Sequence, residues 1–150
     1  MALVTSSAMR KMIEEWEGLR LEAYQDSVGV WTIGYGHTGS DVHEGYTITA
    51  GQADAILTND LHHFELAVGD MIDGAHTTQE QFDALVSFSY NLGAGALRSS
   101  TLLKYHQAGR YEDAANEFEK WDHAGGVVLP GLRRRRSGEA EVYLNGAYTA

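Results

Sequence analysis

Met9, Met12, Ile13 and Trp16 recur at i, i+3, i+4 and i+7, one apolar stripe that predicts a helix over residues 8–17. Ser6 or Ser7 suits its N-cap, and Gly18 suits its end because glycine enters the left-handed conformation freely. The period then changes. Residues 19–48 carry alternation and turn-type positions, which predicts a small antiparallel sheet. Asp26-Ser27-Val28-Gly29 fits a type I turn. Val30 to His37 reads as one strand, with Trp31, Ile33, Tyr35 and His37 on one face and Thr32, Gly34 and Gly36 on the other. A third short strand is expected around Tyr46 to Ile48.

Helical spacing returns with Ala53, Ile56, Leu57, Leu61, Phe64, Val68, Met71 and Ile72, behind a Thr49/Gln52 capping box. A helix over 49–72 spans roughly 33 Å, enough to run between two lobes. Beyond Gly74 the pattern reads as helix throughout. Thr77 and Glu80 form a second capping box before Phe82, Leu85, Val86, Ser89 and Leu92, with Gly93 as the stop. Ser99 or Ser100 caps a short helix through Leu102, Leu103 and His106, and Tyr111, Ala114, Ala115, Phe118 and Trp121 mark another. Gly125-Gly126 breaks it, and Pro130 opens the last helix. Residues 1–7 read as a short arm. The expected architecture is α+β in one domain over 1–150. A sheet lobe (19–48) and a helical lobe (77–150, packed with helix 8–17) are joined by the long helix (49–72).

Composition narrows the chemistry. The 150 residues include no cysteine, so there is no disulfide, thiolate nucleophile or thiolate metal ligand. The formal charge is −10, and residues 1–75 hold 3 Lys or Arg against 12 Asp or Glu. Phosphate binding wants a basic face, so nucleic acid is not an expected partner. No apolar run approaches the roughly 18 residues of a membrane span, so stable insertion is not expected. The first 16 residues lack a signal-peptide layout. The histidines show no His-Glu-x-x-His spacing, and His62 and His63 diverge on a helix, so neither a metal nor another cofactor is expected. Arg133 to Arg136 reads as a solvated, salt-bridged face, because Arg135 and Glu139 form an i, i+4 pair.

The candidate chemistry lies between the first helix and the strand after it. Glu17 falls on the last helical residue, where the negative end of the helix dipole disfavours a second negative charge and burial beside Trp16 and Leu19 adds to that. A general acid needs such a place. Asp26 follows nine residues later in the turn, and Thr32 six further on the glycine-lined face of the strand. Small residues along that face leave room for something to lie close. Alone, Asp26 reads equally as a turn residue bonding its own backbone, and Thr32 as a strand former. His37 on the apolar face reads as structural and buried, and Asp60, set within the apolar stripe of the long helix, as its partner.

The run EGLRLEAYQDSVGVWTIGYGHT (Glu17 to Thr38) closely resembles the catalytic segment of phage-type lysozymes, glycoside hydrolase family 24. YNLGAGALRSSTLL (Tyr90 to Leu103) and KWDHAGGVVLPGLRRRR (Lys120 to Arg136) extend the resemblance along nearly the whole chain from Met9. It implies a lysozyme-like fold with a saccharide cleft between the lobes. It also implies hydrolysis of the β-1,4 bond between N-acetylmuramic acid and N-acetylglucosamine in peptidoglycan. Glu17 would be the general acid, and Asp26 with Thr32 would hold and activate a water on the opposite ring face. That inverting arrangement sets carboxyl groups about 6.5–9.5 Å apart. Gly36 and Thr38 would border the cleft from the sheet, and Tyr90 and Asn91 from the helices. The expected partner is a peptidoglycan glycan strand, met by a monomer that leaves the host cytoplasm through a holin and then acts on the wall. Relatives are often basic, so the acidic charge departs from the pattern. Two other readings stand beside this one: a lytic transglycosylase, which needs no water, and a catalytically silent saccharide-binding protein.

Overall fold

The computed structural model describes residues 2–124 and 126–149. Helix α1 spans Ser7–Glu17, capped by Ser6, whose hydroxyl accepts from the Met9 amide at 3.2 Å, and closed by Gly18 at φ 74°. Met9, Met12 and Ile13 are buried, as their spacing predicts. The segment before α1 is not a loose arm. Thr5 Oγ1 donates to Glu65 at 2.6 Å, Ser6 Oγ donates to Asp83 at 2.5 Å, and Leu3 packs on the helical core.

The sheet is antiparallel and three-stranded: β1 (Arg20–Gln25), β2 (Trp31–Gly34) and β3 (His37–Thr38), in that order. The single strand expected over 30–37 instead folds back on itself. Gly34 and Gly36 take φ of 66° and 81°, which only glycine adopts cheaply, and Tyr35-Gly36 becomes a turn. The face assignment nevertheless survives. Ile33 pairs with His37 and Thr32 with Thr38, and directly opposed residues of an antiparallel pair share a face. The expected strand at 46–48 is reduced to one bridge, Thr47 to Glu22, on the free edge of β1.

Helix α2 (Ala50–Met71) follows the Thr49/Gln52 capping box. Its first turn places Ala53 in the small core under the sheet with Ala23, Ile33, Val42 and Ile48. Leu57, Leu61, Val68 and Met71 then enter the larger helical core. One helix thus supplies both cores and fixes the sheet relative to the helices. Arg10 adds a polar tie, its guanidinium donating to Thr58 Oγ1 at 2.7 Å and Asp54 Oδ1 at 2.9 Å.

His37 is half-buried rather than buried, and its Nδ1 lies 2.7 Å from Asp60 Oδ2, with Asp41 Oδ2 3.1 Å from Nε2. Burial alone lowers the imidazole pKa, but hydrogen bonds and charge from Asp60 and then Asp41 outweigh it, and the net direction is upward from 6.5. A raised histidine stabilises the fold fully below its unfolded value and ceases to as pH climbs through the folded one. Asp60→Asn should therefore lower stability by about 1 kcal/mol or less, the pair being partly exposed. The deficit should be widest below pH 6.5 and shrink above it. Thermal melts across pH check this. Equal melts at pH 6, with the His37 titration unmoved by NMR, would show the pair to be idle.

The helical part is built round α3 (Gln79–Leu92), in which every residue from Gln81 to Ser89 is buried. A helix buried on all sides is a core helix, and α3 packs against α1, α2 and the helices over Ala94–Arg98 and Pro130–Asn145. Each buried phenylalanine on it contributes about 2 kcal/mol. Its capping box is Thr78 with Gln81, one residue on from the expected Thr77 and Glu80. Thr77 Oγ1 instead pairs with His106 Nε2 at 2.8 Å. There follow α4 (Ala94–Arg98), which the spacing did not announce, α5 (Thr101–Gln107) capped by Ser100, and α6 (Tyr111–Glu117). A 3-10 turn over Phe118–Trp121 continues α6. The expectation of helix alone beyond Gly74 fails at β4 (His123–Ala124) and β5 (Val127–Val128), a short hairpin. Of the predicted Gly125-Gly126 break, Gly125 lies outside the described residues. Helix α7 (Pro130–Asn145) starts with Pro130 in its first turn. No helix among the described residues is long and apolar enough to cross a membrane.

Candidate active site

Glu17, Asp26, Thr32, Gly36, Thr38, Tyr90 and Asn91 line one cleft of 290 Å³, together with Tyr24, which the sequence reading did not single out. A second recess, sharing Gly36, Thr38 and Tyr90, continues past Asp60, His63 and Phe64. A larger concavity of 690 Å³ lies between the β4–β5 hairpin and α7 and holds none of these residues. We place the chemistry in the smaller cleft, where the carboxyls of Glu17 and Asp26 meet the Thr32 hydroxyl and the Asn91 amide.

The Gly18 stop puts Glu17 at the cleft floor. Leu19 is 40% exposed and does not bury it. What confines Glu17 is Gly36 on one side and Arg135 on the other. A Cβ at Gly36 would lie 2.5 Å from Glu17 Oε1, so the turn must present bare backbone there. Arg135 Nη1 donates to Glu17 Oε2 at 2.6 Å.

Asp26 fulfils the plain reading with one oxygen. Its Oδ1 accepts from the Val28 amide at 3.0 Å and the Val30 amide at 2.9 Å, holding the turn. Among the described residues nothing donates to Oδ2. Thr32 is 5% exposed, and its hydroxyl proton goes to the Val30 carbonyl at 3.0 Å. Its oxygen lone pairs are the part left for another donor.

From the helical side, the Tyr90 hydroxyl donates to the Tyr35 carbonyl and ties α3 to the β2–β3 turn. Burial, and then the charges of Glu17 and Asp60, raise its phenol, so Tyr90 stays a neutral donor. Asn91 Oδ1 accepts from Arg136 Nη2 at 2.8 Å.

The arginine run overturns its sequence reading. Arg133 and Arg134 are exposed, but Arg135 is 4% exposed and Arg136 and Glu139 are fully buried. The Arg135–Glu139 pair exists, at 3.4 Å, as an interior contact. Arg136 Nε lies 2.9 Å from Glu139 Oε1, and Ser87 Oγ donates to Glu139 Oε2 at 2.6 Å. Burial pushes the Glu139 carboxyl up, opposed by Arg136, Arg135 and the Ser87 hydroxyl. Two guanidiniums buried against one carboxyl demand its negative charge. An i, i+4 pair signals helix, not depth, which is why spacing could not separate these readings.

The chain matches the phage lysozyme family over residues 14–139. It is 47% identical over 143 residues to the endolysin of Bacillus phage B103, an alignment covering 94% of this chain and 54% of that protein. The chain spans about half the length of the curated relatives it matches at this level. Among solved structures, the endolysin from Escherichia coli O157:H7 phage FAHEc1 superposes with a TM-score of 0.91 at 40% identity, over 100% of this chain and 99% of that one. The muramidase domain of SpmX from Asticaccaulis excentricus gives 0.87 at 39% identity, over 95% and 99%. The fold is therefore the lysozyme-like α+β fold. Family match, fold and a cleft holding the Glu-Asp-Thr trio agree, and the chain belongs to the phage lysozyme family.

Proposed function

We propose that the protein is an endolysin-type muramidase that hydrolyses the β-1,4 bond between N-acetylmuramic acid and N-acetylglucosamine in peptidoglycan, with inversion. The observation that carries this is the single cleft lined by Glu17, Asp26 and Thr32. Glu17 is the general acid. Its Oε2 already accepts from Arg135, so the proton sits on Oε1 and passes to the glycosidic oxygen as the bond breaks. The developing oxocarbenium ion is met by a water. Asp26 Oδ2 and the Thr32 lone pairs are the two acceptors left for its two protons, and this aims its own lone pair at the anomeric carbon. Asp26 takes the proton as the new bond forms. Room for that water corresponds to carboxyls about 6.5–9.5 Å apart. Gly36 and Thr38 border the glycan from the sheet, and Tyr90 and Asn91 from α3.

The stereochemistry of the first product tests the scheme. Digestion of purified peptidoglycan followed by NMR should show the α-anomer of the new reducing end before mutarotation. Initial β-anomer would mean a covalent intermediate. Anhydro-muramic ends by mass spectrometry would mean cleavage without water. Either result ends the inverting assignment.

A further inference from the structure

The cleft is backed by a network of four charges, Glu17, Arg135, Arg136 and Glu139, and Glu139 lines no part of the cleft. Glu139 sits on α7 four residues from Arg135 and three from Arg136, and it contacts both guanidiniums. Each arginine has a second arm into the cleft. Arg135 reaches Glu17 at 2.6 Å, and Arg136 reaches Asn91 at 2.8 Å. Ser87 on α3 donates to the carboxylate's Oε2 at 2.6 Å. Arg135 is thus shared between two carboxylates, Glu17 at the reaction centre and Glu139 in the core, while Arg136 links Glu139 to the Asn91 amide.

We infer that Glu139 is a positioning residue for the proposed hydrolysis, sharing Arg135 so that Glu17 can carry a proton beside a guanidinium, and holding Arg136 so that Asn91 keeps its place in the cleft wall. This rests on the assignment of Glu17 as the acid. An arginine whose only counter-charge is Glu17 favours the ionised carboxylate, and an ionised Glu17 donates nothing. Glu139 is the second claimant on that positive charge. The other charged or titratable groups set about Glu17 do not compete for Arg135 in this way. Tyr90 on α3 is a neutral donor, Asp26 lines the same cleft from the turn, and Arg10 on α1 is committed to Glu14 and Asp54. Around Glu139 itself stand Arg135, Arg136 and Ser87.

The test is Glu139→Gln, which keeps the shape and removes the charge. On purified peptidoglycan kcat should fall about tenfold and KM should rise as Asn91 is released. The alkaline limb of the rate profile, which reads loss of the donor proton, should move about one pH unit towards acid. A merely structural role predicts a kcat scaled by the folded fraction, with KM and the limb unmoved, and would overturn the inference. If Glu139→Gln does not fold, Glu139→Gln with Arg136→Gln restores charge balance and still leaves Arg135 to Glu17 alone. Arg136 also acts on Glu17 through its charge, so the acid shift should persist there at reduced size, and a limb at or alkaline of the parental one would refute the sharing. Glu17→Gln run alongside separates the failures. If that variant is active, the reading of Glu17 falls. If it is dead while the limb in Glu139→Gln stays parental, only the role of Glu139 falls.

Discussion

Glu17→Gln should lose clearing of purified peptidoglycan by roughly a thousandfold while binding it as the parent does. The amide cannot protonate a leaving oxygen, yet it matches the carboxylate in shape and still offers an oxygen to Arg135 Nη1. Because the bare Gly36 backbone leaves room for either atom, the amide should sit where the carboxyl did. The cost to the fold should be moderate. Arg135 loses one counter-charge but keeps Glu139 at 3.4 Å, so a loss of about 1–2 kcal/mol is expected rather than unfolding. Turbidity and pull-down on the same wall preparation separate the two properties. A variant that clears walls at the parental rate would remove Glu17 from the mechanism. One that neither clears nor binds would make it a structural residue.

The residues that made the site legible in sequence are those whose local geometry carries the chemistry. Gly18 had to end a helix, which placed Glu17. Asp26 and Gly29 had to make a turn, which placed the second carboxyl within a short stretch of chain. The even spacing of Ile33 and His37 put both on one face, and Thr32 on the other, whether the strand ran straight or folded back, and it folded back. What stayed hidden depends on depth and on partners distant in sequence. Arg135 is 118 residues from Glu17, and no pattern on α7 says that this turn faces inward. Arg133 and Arg134 share the same run and lie in solvent. The shift of the capping box from Thr77 to Thr78 has a similar cause. Either threonine has an acidic or amide side chain three residues on, and the choice falls to His106, which takes the Thr77 hydroxyl.

Asp26→Asn is the complementary experiment, because it divides one side chain between its two uses. The amide oxygen of asparagine can replace Oδ1 and accept from the Val28 and Val30 amides, so the turn should hold and the melt should stay within about 0.5 kcal/mol of the parent. The other atom changes from an acceptor to a donor. A water beside Thr32 would then face an N–H where it needs a base, and Thr32 cannot compensate, since a neutral hydroxyl accepts a hydrogen bond but is too weak a base to take the proton. Turnover should fall by about a hundredfold or more. Asp26→Ala should lose turnover equally and stability as well, since it also strips the turn of its acceptor. The contrast between the two melts measures the structural use of Asp26, and the shared loss of rate measures the chemical one. If Asp26→Asn digests peptidoglycan at the parental rate, no water is being activated by that carboxylate, and the bond is cleaved by a route that needs Glu17 alone.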